Sequence, residues 1–137
     1  MSIAFADSAM ALDEVRDLLD RYFDGLYRSD AGLLATVFQP AAVYATATEG
    51  PLTRLSMPEY LRIVAERESP AARGEARTDT IESIVFAGPV TALASVRCSI
   101  GPRRFTDLLS LVRVDGRWQI IAKVFHFDLD PAGSEGT

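Results

Sequence analysis

The chain has 137 residues, 48% of them apolar and 24% charged, with a formal net charge of −5, one histidine and one cysteine. That length can close one hydrophobic core, while the acidic balance argues against nucleic acid, which is bound through basic patches. The lone Cys98 excludes an internal disulfide, and no apolar run approaches the ~20 residues needed to span a bilayer. The expectation is one domain over 1–137 with an ordered core over 12–130, cytoplasmic, with neither nucleic acid nor membrane among its partners.

Residues 1–10 carry no basic residue, no long apolar run and no clear period, which predicts a loose arm and no secretory signal. Over 12–27 the residues Leu12, Val15, Leu18, Leu19, Tyr22, Phe23, Leu26 and Tyr27 recur at helical spacing, with Asp13, Arg16, Asp17 and Asp20 on the wet side. A break at 28–30 leads to a short helix over 31–38, with Asp30 as its N-cap, and Gln39-Pro40 stops it. Residues 41–48 read as a strand and Glu49-Gly50-Pro51 as a turn. Ser56-Met57-Pro58-Glu59 is a capping box, with Leu55 and Tyr60 as the hydrophobic staple around it. The third helix opened there runs to Ser69-Pro70, and 71–76 form a loop. Strands follow over 78–86 and 90–100, punctuated by Gly88-Pro89 and Gly101-Pro102. The tail over 132–137 is expected to lack structure.

The stretch 104–130 organises the rest. Asp115-Gly116 between alternating apolar runs specifies a two-residue hairpin turn. Counted from that turn, Val114 faces Arg117, Leu111 faces Ile120, Leu109 faces Ala122, Asp107 faces Val124 and Phe105 faces His126. One face then carries Phe105, Leu109, Leu111, Trp118, Ile120, Ala122 and Val124 beneath the helices, with Asp107 and His126 near its far end. The other carries Thr106, Leu108, Ser110, Val112, Gln119, Ile121, Lys123 and Phe125. A tight turn at Gly101-Pro102 adds Val96 opposite Asp107 and Cys98 opposite Phe105, extending the apolar face across three strands. One β-bulge would break this parity. Helices first and then a long antiparallel sheet make an α+β chain.

The order helix, short helix, strand, helix and four antiparallel strands resembles the nuclear transport factor 2-like (SnoaL-like, cystatin-like) superfamily over about 12–128. Within it, Phe105-Thr106-Asp107-Leu108-Leu109-Ser110-Leu111, Asp115-Gly116-Arg117-Trp118-Gln119-Ile120, Lys123-Val124-Phe125 and the early Tyr22-Phe23-Asp24-Gly25-Leu26 resemble the lumazine-binding group. The resemblance implies a cone-shaped fold, three N-terminal helices packed on a curved antiparallel sheet, with a pocket at the open end. Steroid isomerases, dehydratases, epoxide hydrolases and polyketide cyclases share that fold, so it decides no function. The isomerase-like pattern places a carboxylate base on the strand after the second helix, where Val43-Tyr44-Ala45-Thr46-Ala47-Thr48 has no acid. The epoxide hydrolase-like pattern needs two carboxylates bridged by arginine, but Asp107 has no second acid and Arg97 falls on the opposite face. A histidine pair is excluded by the single histidine.

What remains is Asp107 beside His126, a carboxylate orienting an imidazole as a general base requires. The plainer reading of that pair is a satisfied polar contact closing one end of the core. Tyr22, Tyr44, Tyr60 and Trp118, with Tyr27, offer stacking surface and polar donors to a ligand, and Cys98 lies near the same end. Arg97, Thr106, Leu108, Lys123 and Phe125 make an outer face suited to a homodimer contact. Neither metal-ligand spacing nor a phosphate loop is present, so no metal or cofactor is expected. The leading expectation is a small-molecule-binding module for a flat heterocycle or other apolar ligand, without turnover. The alternatives are an enzyme of proton transfer, dehydration or hydrolysis using His126 with Asp107, and a dimeric scaffold with a filled pocket. A cavity open to His126 would favour the enzyme, and a filled one the scaffold.

Overall fold

The computed structural model of the protein describes residues 5–130. Helix α1 (Phe5–Arg28) presents Val15, Leu18, Leu19, Tyr22, Phe23 and Leu26 to the core, all buried. It begins earlier than its periodicity predicts, because Ala9, Met10 and Ala11 are good helix formers that need no apolar stripe. Residues 5–10 are therefore helical and not a loose arm; residues 1–4 and the tail expected over 132–137 lie outside the described residues.

Helix α2 (Ala31–Val37) is capped as expected, with the Asp30 carboxylate accepting from the Leu33 N–H at 2.9 Å. It packs so closely on α1 that a Cβ at Gly25 would stand 2.5 Å from Leu34 Cδ2, so any larger residue there must displace the buried Leu34 side chain. Strand β1 (Phe38–Thr46) starts directly after α2, and β2 (Thr53–Ser56) returns beside it as a short exposed edge. Four residues without a clean alternation leave no sequence signal for β2. The capping box opens α3 (Met57–Glu66): Ser56 N–H donates to Glu59 Oε1 at 2.8 Å and Glu59 N–H to Ser56 Oγ at 3.3 Å. Helix α3 ends before Ser69-Pro70, at Glu66, and buries Met57, Tyr60 and Val64.

Strands β3 (Thr80–Phe86), β4 (Thr91–Ile100), β5 (Arg103–Val114) and β6 (Arg117–Leu129) complete a six-stranded sheet in the order β2-β1-β6-β5-β4-β3. The fold is α+β, three helices on a mostly antiparallel sheet. The exception is the parallel pairing of β1 with β6. The hairpin turn places Asp115 at φ 51° and Gly116 at φ 76°, the left-handed pair that a two-residue turn demands. Val96 faces Asp107 and Cys98 faces Phe105, as expected from the Gly101-Pro102 turn.

The β5–β6 register holds only as far as Leu111 opposite Ile120. Ile121 then bulges, Ser110 faces Ala122, and beyond it Leu109 faces Lys123, Asp107 faces Phe125 and Phe105 faces Phe127. One extra residue sends every later side chain of β6 to the other face. The expected pairings of Leu109 with Ala122, Asp107 with Val124 and Phe105 with His126 are thereby corrected. On the far side of β6, β1 leaves its ladder over the same stretch, between Phe38 opposite Ile120 and Val43 opposite Ala122. Pro40, which has no N–H to donate, lies in that gap.

Candidate functional site

Six elements, α1, β1, α3, β4, β5 and β6, converge at one end of the inner sheet face. Asp107 on β5 is wholly buried, and Lys123 and Phe125 reach it from β6 because of the bulge. Helix α1 supplies Tyr22, whose hydroxyl donates to Asp107 Oδ2 at 2.5 Å. Helix α3 supplies Tyr60, whose hydroxyl accepts from Lys123 Nζ at 3.3 Å. Lys123 Nζ stands 4.0 Å from Asp107 Oδ2. It also lies 5.2 Å from the ring centre of Tyr22, 5.7 Å from Tyr44, 5.1 Å from Tyr60 and 5.4 Å from Phe125. Four ring faces within reach of one ammonium offset part of the cost of desolvating it. Tyr44 stacks on Tyr60, with ring centres 4.7 Å apart.

These surroundings decide the charge states. Burial pushes Lys123 toward the neutral amine, but Tyr60 and the Asp107 carboxylate outweigh it and hold the ammonium above the usual lysine range. Burial, followed by the Asp107 charge, pushes the Cys98 thiol up to about 12. The same two causes hold Tyr22 well above its ordinary value, and burial raises Tyr44 against the pull of Lys123. These shifts favour the ammonium of Lys123, the thiol of Cys98 and the phenols of Tyr22 and Tyr44 at neutral pH. They disfavour the free amine and the thiolate that covalent catalysis uses.

Asp107, Lys123, Cys98, Tyr60, Tyr44 and Arg67 line a cavity of about 20 Å³, with Leu26, Ile100, Phe105 and Phe125 completing its wall. That is room for about one water molecule. Asp107 and Arg67, which both line this cavity, each carry a buried atom without a hydrogen-bond partner, Oδ1 and Nη2; Trp118 Nε1, outside the cavity, is a third. Tyr44, Arg67, Ile100 and Phe105 are only part-buried and form its mouth, over a floor of Asp107, Lys123 and Tyr60.

Tyr22, Tyr44, Tyr60, Cys98 and Asp107 thus come together as expected. His126 does not join them. It projects from the opposite face, where Nδ1 meets Thr48 Oγ1 at 2.9 Å and Nε2 meets Asp128 Oδ1 at 3.0 Å. Lys123 is the diagonal neighbour of Asp107 in its stead, so Lys123 and Phe125 leave the outer face assigned to a dimer contact. Arg97, Thr106 and Leu108 stay on that face, with Arg97 paired to Glu82 at 2.8 Å. Trp118 packs against Phe86 at the other end of the sheet, ring centres 5.7 Å apart, away from the cavity. Tyr27 is likewise engaged elsewhere, donating to the Glu75 carbonyl at 2.6 Å. Arg67, just past α3, had no sequence signal, since a single arginine in a polar stretch matches no pattern. Among the described residues no cluster of His, Cys, Asp and Glu is placed to hold a metal ion, and no helix is long and apolar enough to cross a membrane.

The family model described as "Putative lumazine-binding" matches residues 10–126. The chain belongs to this family. Solved structures with the same architecture include a nuclear transport factor 2-like protein of unknown function from Silicibacter pomeroyi DSS-3. It is 21% identical, with a TM-score of 0.79, and the alignment covers 88% of this chain and 98% of that one. Another, from Shewanella baltica OS155, is also of unknown function, with 19% identity, a TM-score of 0.80, and 93% and 98% of the two chains covered. A cystatin-like domain from Nostoc punctiforme aligns at 17% identity and a TM-score of 0.67, over 98% of this chain and 85% of its own. At such identities the likeness is one of fold. Over 45 residues this family member is also 36% identical to the aldolase FrzH of Cladobotryum sp., a match spanning 31% of this chain and 36% of that protein.

Proposed function

We propose that this protein binds a small organic molecule without transforming it, at the mouth of the Arg67–Asp107–Lys123 cavity, with one water-sized polar group of the ligand entering the cavity itself. One observation carries the reading: Asp107 Oδ1 and Arg67 Nη2 are buried, unpartnered and at the same cavity. A buried polar atom without a partner costs about 1–3 kcal/mol, and a ligand polar group supplies the partner. The family description points the same way, toward a flat heterocycle. A binding role agrees with a site whose lysine is an ammonium and whose cysteine is a thiol. Aldol chemistry through an imine needs a free amine, so the short likeness to the Cladobotryum aldolase does not move the reading toward covalent carbonyl chemistry. The reading that relied on His126 with Asp107 loses its motive, because the two residues occupy opposite faces.

Native mass spectrometry of the purified protein, with titration by lumazine as a probe, tests this. An adduct on the 14.9 kDa chain, or saturable lumazine binding, either one lost in Arg67→Gln, is the expected result. A bare mass and no lumazine binding up to millimolar concentration would refute it.

A second reading rests on a separate observation. Leu93, Leu108 and Val124 are 44, 46 and 50% exposed on the outer face, and Leu108 pairs directly with Val124. We propose a homodimer through this face, acting in the cytoplasm, where a free Cys98 stays reduced. Sedimentation at micromolar concentration should give twice 14.9 kDa. Val124→Glu should return the monomer.

A further inference from the structure

We infer that the cavity selects a monoanionic ligand, a small aromatic carboxylate whose carboxylate lies between Arg67 and Lys123 and whose ring fills the mouth beside Tyr44 and Phe105. The inference rests on the binding reading and names the class of ligand. Its first support is a count of charge. Counted by residue type, Arg67 and Lys123 against Asp107 give the cavity lining a formal charge of +1 in a chain of −5. A neutral ligand leaves that charge uncompensated, and a cation is repelled.

The second support is an inventory of donors. An ammonium has three donors. Lys123 uses one on Tyr60, and its 4.0 Å separation from Asp107 is too long for a hydrogen bond. Arg67 makes no ion pair among the described residues; its Nε–H donates to Ser29 Oγ at 3.4 Å, and Nη2 is buried without a partner. Unused donors on two cations at one cavity match the two oxygens of a carboxylate, which accept charge-assisted bonds from both. Asp107 Oδ1 remains as an acceptor, which an O–H or N–H adjacent to the carboxylate satisfies. The third support is size. About 20 Å³ is room for one water-sized atom, so one carboxylate oxygen enters between Arg67 and Lys123 while the ring stays outside, among the part-buried Tyr44 and Phe105 at the mouth.

Isothermal titration of the intact protein with salicylate and with its neutral counterpart salicylamide tests the inference. Salicylate should bind at least ten-fold more tightly. Arg67→Gln should lose ten-fold or more of that affinity and Arg67→Lys less than about three-fold, with thermal midpoints near that of the parent. Equal affinity for acid and amide overturns the inference, as does an unchanged affinity in Arg67→Gln. Lumazine or salicylamide binding without salicylate binding overturns it while leaving the binding reading intact. Failure of all three probes, together with a bare native mass, overturns both.

Discussion

The two ends of the inner sheet face are built from the same strands to different purposes. At the closed end Ala92, Ala94, Leu111, Trp118 and Ile120 pack in one apolar cluster with the helices. Each fully buried large side chain there contributes about 1.5–3 kcal/mol. At the other end the same strands bury Asp107 and Lys123, leave one carboxylate oxygen unpartnered and enclose a small cavity. Desolvating such a pair costs several kcal/mol per ion, and apolar residues of like volume are often no less stable. Stability alone therefore accounts for the closed end and not for the polar one, as the proposed binding role requires.

Substitutions break that comparison most directly at the ion pair. Lys123→Met leaves Asp107 charged, buried and without its cation, and should cost about 3–5 kcal/mol in urea unfolding. Replacing the whole polar set with Asp107→Leu, Lys123→Met and Tyr22→Phe together should restore stability to within about 1 kcal/mol of the parent while abolishing ligand binding. A triple variant as unstable as Lys123→Met would show that the polar end carries the fold. At the closed end Leu111→Ala should cost about 3 kcal/mol through its cavity and leave binding affinity unchanged in those molecules that remain folded.

A smaller effect comes from pH. The folded Cys98 thiol titrates at about 12 against an ordinary 9.0. A raised folded value is stability fully present below the unfolded one and lost as pH climbs through the folded one, at about 1.4 kcal/mol per pH unit in between. Tyr22 and Tyr44, raised from 10.0, and Lys123, raised from 10.5, begin to add to the loss about one pH unit below those values. Urea midpoints should therefore fall between pH 8 and 9.5 in the parent and fall much less over that interval in Cys98→Ala. Smallest of all should be His126→Ala. Its side chain is 58% exposed, so stability should change by less than about 0.5 kcal/mol and binding not at all. A large loss of binding in that variant would restore the imidazole to the site.

Much of this architecture was legible because its causes are local. Asp115-Gly116 supplies the left-handed pair its turn requires, Ser56 and Glu59 close the capping box within one helical turn, and alternation along β4 and β5 places Val96 and Asp107 on one face. Asp107 and Cys98 could be placed on the inner face for that reason, and the family could be recognised from stretches of the same kind. The bulge at Ile121 has no such local cause. Nothing in Gln119-Ile120-Ile121-Ala122-Lys123 marks it, since the run lacks the glycine that often signals one. It arises where β6 must pair with β5 on one side and, on the other, with a β1 interrupted around Pro40, some eighty residues earlier in the chain. The period of a strand is two residues, so that one long-range accommodation exchanged the whole set of side chains beyond it. The tertiary structure thereby turned His126 out to water, brought Lys123 in to Asp107, and set Arg67 at the mouth above them.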